Sequence, residues 1–75
     1  MRERDEVVVG SNGSEWEVAQ LGTEIMVVDF SIYPWEVEFE KFTSEEGANE
    51  AFERIKSQIV KEGDYSFTTE YETSS

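Results

Sequence analysis

Cysteine and histidine are both missing from the 75 residues. With them go disulfide frameworks, thiolate nucleophiles, imidazole bases and the ordinary zinc sites. Basic residues are scarce, six Lys and Arg against eighteen Asp and Glu, for a formal charge of −12. The excess is not confined to a tail: residues 1–43 hold ten acids and three bases, residues 44–75 eight and three. A folded body this acidic repels nucleic acid and anionic membranes and attracts basic protein surfaces. Long apolar runs are lacking too. The longest, Ile25-Met26-Val27-Val28, suits a strand and falls far short of a membrane span, and Met1-Arg2-Glu3-Arg4 leads into no signal-peptide core. The expectation is a soluble protein of a reducing cytoplasm. No repeat, linker or low-complexity block interrupts the chain, which reads as one small domain over 1–75 with 1–5 and 72–75 frayed.

What is present argues for a folded chain. Ten aromatics, including Trp16, Trp35, Phe39 and Phe52, each remove much apolar surface from water when buried. Glu6-Val7-Val8-Val9 is β-branched and reads as a first strand. Asn12-Gly13 then supplies the positive φ angles of a tight hairpin turn. A second strand over 15–21 alternates Trp16 and Val18 against Glu15 and Glu17. A third over 24–32 sets Met26, Val28, Phe30 and Ile32 against Ile25, Val27, Asp29 and Ser31, apolar on much of both faces as a central strand is. After Pro34, the one proline, a fourth strand puts Trp35, Val37 and Phe39 on one side and Glu36, Glu38 and Glu40 on the other. Its glutamates suit a sheet edge.

Thr43 with Glu46 three residues on predicts a helix N-terminus closed by a capping box. Ala48, Ala51, Phe52, Ile55 and Ile59 recur at helical spacing, with Glu46, Glu50, Glu53, Ser57 and Lys61 opposite, and Gly63 predicts the C-cap. Glu50 and Arg54 have the spacing of an i,i+4 pair. Beyond it, Tyr65, Phe67, Thr69 and Tyr71 alternate as a fifth strand over 64–71. The fold class is α+β: an antiparallel meander of four or five strands with one helix, residues 44–62, across one face. Its stripe is expected to meet Trp16, Val18, Phe30, Trp35, Val37 and Phe39, with the strand register deciding whether Trp16 shares a face with Trp35. The outline is shared with small modules such as the WGR domain, but no Trp-Gly-Arg triplet occurs.

Chemistry finds little purchase here. Glu15/Glu17 and Glu36/Glu38 each flank a tryptophan, but residues two apart on a strand point the same way, whereas glycoside hydrolysis sets two carboxyls across a bound sugar. No EF-hand spacing or His ligand marks a metal site. Gly10 and Gly13 have no following helix or lysine to make a phosphate loop. No enzyme, cofactor or metal is expected.

The acidic surface itself is the remaining feature. Along a strand, Glu36, Glu38 and Glu40 recur at roughly 6.6–6.8 Å, close to two phosphate steps of a DNA strand, about 6.8 Å. Extended by Glu15 and Glu17, or by Glu46, Glu50 and Glu53, this ladder imitates a nucleic-acid backbone. The expectation is a non-enzymatic inhibitor that fills the basic channel of a nucleic-acid-binding protein or complex. In size and charge it resembles phage-encoded anti-restriction and anti-CRISPR proteins, which would place it in a host cytoplasm. The alternative is an apolar interaction module or homodimer, using Ile25 and Val27 or the segment Tyr65, Phe67 and Tyr71, with acidity serving solubility alone.

Overall fold

In the computed structural model, which describes residues 3–66, the chain runs β1 (Glu3–Val9), β2 (Glu15–Leu21), β3 (Glu24–Asp29), β4 (Glu36–Lys41) and α1 (Glu45–Glu62). The strands form an antiparallel meander in that order, and α1 packs across β1, β2 and β3. The α+β architecture is as expected, with four strands among the described residues. Of the expected fifth strand, residues 67–71 lie outside the described part, and 64–66 are not strand.

Local chemistry sets the element boundaries. Gly13 takes a φ of 84° and donates to Gly10 O at 2.9 Å, while Gly10 donates to Ser14 O at 2.7 Å. Asn12 Oδ1 accepts from both the amide and the hydroxyl of Ser14, an Asx turn inside the hairpin. β1 starts earlier than expected: Glu3, Arg4 and Asp5 pair with Leu21, Gln20 and Ala19 because Arg4 is tied to the helix. β3 ends earlier, at Asp29, whose carboxylate accepts from the amide and hydroxyl of Ser31 and turns the chain. The Tyr33–Pro34 peptide before β4 is cis.

The helix N-cap is Ser44, not Thr43. Ser44 is extended (φ −144°, ψ 157°) and its Oγ accepts from the Gly47 amide at 3.1 Å. With Gly47 at the third helical position, no side chain reaches back, so the expected Thr43–Glu46 box does not form. Ser44→Ala should therefore lower stability by about 1 kcal/mol, the usual worth of an N-cap. Thr43→Ala should lower it by less than about 0.5 kcal/mol. Urea unfolding of the two variants checks this, and equal losses would reject Ser44 as the cap. At the other end Gly63 is left-handed (φ 73°), as expected, and donates to Ile59 O at 2.8 Å.

Helix stripe Ala48, Ala51, Phe52, Ile55 and Ile59 packs on Trp16, Val18, Ile25 and Val27. One polar group is built into this interface. Gln20, 2 % exposed, donates to Gly22 O at 3.0 Å and Asn49 Oδ1 at 2.6 Å. Its Oε1 accepts from Arg4 Nε at 2.8 Å. Every polar atom of the amide thus has a partner, as burial requires.

The register overturns the expected faces. Trp16 pairs with Asp29, Val18 with Val27 and Gln20 with Ile25; on β4 the same rows continue through Glu36, Glu38 and Glu40. The glutamates share the helix-side face, while Trp35, Val37 and Phe39 lie on the open side, 59 %, 48 % and 64 % exposed. Phe30 is also outside the core, stacked edge-on against Trp35 with centroids 4.9 Å apart. Conversely Ile25 and Val27, expected to leave a surface for docking, are buried beneath the helix. A helix is about 10 Å across and strands are about 4.8 Å apart, so one helix centred on β2 spans three strands. β4 falls beyond that footprint. Its glutamates occupy the core's face without being buried.

Candidate binding site

Two residues apart on β4, Glu36, Glu38 and Glu40 form an exposed row on the helix side of the sheet. The chain leaving α1 at Gly63 makes the facing bank. Between them runs a groove of about 480 Å³ lined by Asn12, Ser14, Trp16, Asp29, Glu36, Glu38, Glu62, Asp64 and Tyr65, among others. Among the described residues, five carboxylates border it and no Lys or Arg does.

The groove is held together by its aromatics. Tyr65 packs edge-on against Trp16 with centroids 5.6 Å apart, and its hydroxyl donates to Glu38 Oε1. Trp16 Nε1 donates to Ser14 Oγ at 2.7 Å, and Ser14 Oγ donates to Asn12 Oδ1 at 2.6 Å. Hairpin turn, groove floor and glutamate row are thereby joined in one chain of contacts.

Two of the cations are gathered on the other flank of the helix, and Arg54 holds the chain just beyond the groove. Arg4 Nη1 pairs with Glu53 at 2.8 Å, and Lys56 pairs with Glu6 at 3.0 Å and Glu53 at 3.4 Å, all on the β1 flank of the helix. Arg54 donates to Ser66 O at 2.7 Å. Lys41 stands in the register opposite Glu24, on the open face. Among the described residues lining the groove, no cation accompanies Asp29, Glu36, Glu38, Glu62 and Asp64, while a second set of acids, Glu3, Asp5, Glu15, Glu17 and Glu24, lies on the open face.

The expected contact glutamates do not form one surface. Glu36, Glu38 and Glu40 stay together; Glu46 and Glu50 are exposed on the outer side of the helix. Glu53 is engaged by Arg4 and Lys56. Glu15 and Glu17 point to the open face of the sheet, opposite Val9 and Val7, and cannot extend the ladder. There Glu17 is hydrogen-bonded with Asp5, and this bond, then burial, then the Asp5 charge raise its pKa above the ordinary 4.5.

Sequence reasoning missed Asp29, Glu62, Asp64 and Tyr65 as groove residues. The signal for three of them was Gly63: a left-handed glycine after a helix reverses the chain, which sets its neighbours against whatever lies beside the helix end. No family model matches the chain, and neither a curated protein nor a solved structure does.

Proposed function

We propose that the protein is a non-enzymatic acidic binding protein that occupies, and so blocks, a basic nucleic-acid-binding surface of a larger protein or complex, as phage-encoded anti-restriction and anti-CRISPR inhibitors do. The observation that carries this reading is the exposed Glu36, Glu38, Glu40 row on a flank whose groove has no Lys or Arg among the described residues that line it. Its repeat of roughly 6.6–6.8 Å approximates two phosphate steps. Glu62 and Asp64 add charge across the groove, while Glu46 and Glu50 stand apart on the outer side of the helix. Glu15 and Glu17 take no part. Complementarity of this kind mainly raises the association rate and weakens with salt. The protein itself binds neither nucleic acid nor membrane in this reading, and uses no cofactor.

A tagged wild-type protein should retain a nucleic-acid-binding protein from host lysate at low salt and release it in a salt gradient. Glu36→Lys with Glu38→Lys should weaken that partner at least about tenfold, since close interfacial charge pairs carry more than 1.4 kcal/mol. A partner that resists salt and tolerates the double reversal would favour a second reading, an apolar interaction module whose glutamates serve solubility. The observation behind that second reading is the exposed apolar side of the sheet.

A further inference from the structure

The helix covers one side of the sheet; no described element covers the other. On that side Val7, Val9, Leu21, Val37 and Phe39 are each about half exposed or more. A concavity of about 470 Å³ is lined there by Ala19, Leu21, Met26 and Phe39 together with Glu3, Asp5 and Glu24, and Arg4 and Gln20, which belong by register to the helix side, also border it. Ala19, Met26 and Phe39 are register neighbours and form one apolar row, with Val7 and Val9 set apart by Glu17 and Glu15. An exposed apolar group of this kind marks an interaction site, since a sheet ordinarily buries both faces or keeps the second one polar.

Charge selects what would cover it. By register this face carries Glu3, Asp5, Glu15, Glu17 and Glu24, with Lys41 as its one cation among the described residues. Glu17 lies between Val7 and Val28 on the adjoining strands and diagonal to Asp5 on the same face. A second copy would set carboxylates against carboxylates and strip water from the Asp5–Glu17 pair without a counter-ion, which is strongly unfavourable. A surface bearing Lys or Arg beside its apolar residues meets both needs at once. We propose that the open sheet face docks an apolar, Lys/Arg-flanked segment of a partner protein, seating an apolar side chain against Ala19, Met26 and Phe39 and a cation on Asp5 and Glu17. This surface faces away from the β4 groove and stands whether or not that groove binds.

The probe is a synthetic 14-residue amphipathic peptide of Leu and Lys, set against a Lys/Ser peptide of equal charge, both titrated calorimetrically into the full chain. The Leu/Lys peptide should bind at least about tenfold more tightly, the worth of burying one or two large apolar side chains. Phe39→Ser and, separately, Leu21→Ser should each remove most of that difference, with circular dichroism confirming the fold. Glu36→Lys with Glu38→Lys should change it by less than about threefold, being on the other face. The proposal is overturned if the Phe39 and Leu21 variants bind like wild type, or if the loss follows the groove variant instead. It is equally overturned if wild type sediments as a dimer that Phe39→Ser dissociates, which would make a second copy the occupant. Tighter peptide binding on Phe67→Ser with Tyr71→Ser would assign the face to this chain's own C-terminal residues and overturn it as well.

Discussion

Phe52→Ala should lower stability by about 3–5 kcal/mol, the range for deleting a buried aromatic, while Phe39→Ala should lower it by less than about 1 kcal/mol. Phe52 is the largest fully buried side chain among the described residues, and its ring is also a platform. The Arg4 guanidinium lies 3.9 Å from its centroid and the Lys56 ammonium 5.0 Å. Both cations reach onward, Arg4 to Glu53 and Gln20, Lys56 to Glu6 and Glu53. Removing the ring opens a cavity and takes away the surface on which these groups rest, a contact worth about 0.5–2 kcal/mol. A domain of this size has a total stability of only about 4–11 kcal/mol, so the variant should melt more than about 12 °C lower. Phe39 belongs to the exposed face of β4 and loses no cavity. Thermal unfolding of the two variants separates the faces directly, and comparable losses would mean that β4 turns its aromatics toward the helix after all.

That contrast also shows where sequence alone runs out. The helix stripe was legible because Ala48, Ala51, Phe52, Ile55 and Ile59 share one period and one face, and the first hairpin because Asn12-Gly13 has few other uses. β4 alternates as plainly as any strand, yet its alternation states only that Glu36, Glu38 and Glu40 stand together. Which side they share is decided by pairing with β3, and β3 is apolar on both faces: Ile25 and Val27 suit a core as well as Met26 and Val28 do. A shift of one residue would exchange the sets. The choice rests instead on the footprint of a single helix, which sequence does not encode locally. Because β4 lies outside that footprint, burial does not force its apolar side inward. The candidate site was legible to the same degree. Its glutamate row could be read off one strand, but its other bank needed the left-handed turn at Gly63 and the Trp16–Tyr65 contact. Gln20 shows the opposite case: it follows Trp16 and Val18 in the alternation, so its inward position was visible, whereas its partners Arg4 and Asn49 were not.

Gly63→Ala should cost about 2–5 kcal/mol, and much of its effect should depend on Asn12, about fifty positions away. A left-handed alanine costs about 1–2 kcal/mol by itself. The new Cβ would also fall 2.4–2.5 Å from the Asn12 side chain, so the carboxamide must leave. Its Oδ1 then gives up the amide and hydroxyl of Ser14, at about 0.5–1.5 kcal/mol for each bond. Helix end and hairpin turn meet very closely here. A Cβ on Gly10 would lie 2.9 Å from Gly63 Cα, and Ser11 Oγ donates to Lys61 O at 2.9 Å. In an Asn12→Ala background the clash is gone and the Asx turn already lost. Gly63→Ala should then cost only the left-handed share, about 1–2 kcal/mol. Denaturant unfolding of the two single variants and the double variant yields the coupling, and strict additivity would show that the two side chains do not meet. The same substitution reaches the groove. Ser14 Oγ holds the Trp16 indole, Trp16 carries Tyr65, and the Tyr65 hydroxyl holds Glu38. Gly63→Ala should therefore shift the Trp16 indole resonance and weaken whatever the Glu36, Glu38, Glu40 row binds, although it alters no charge.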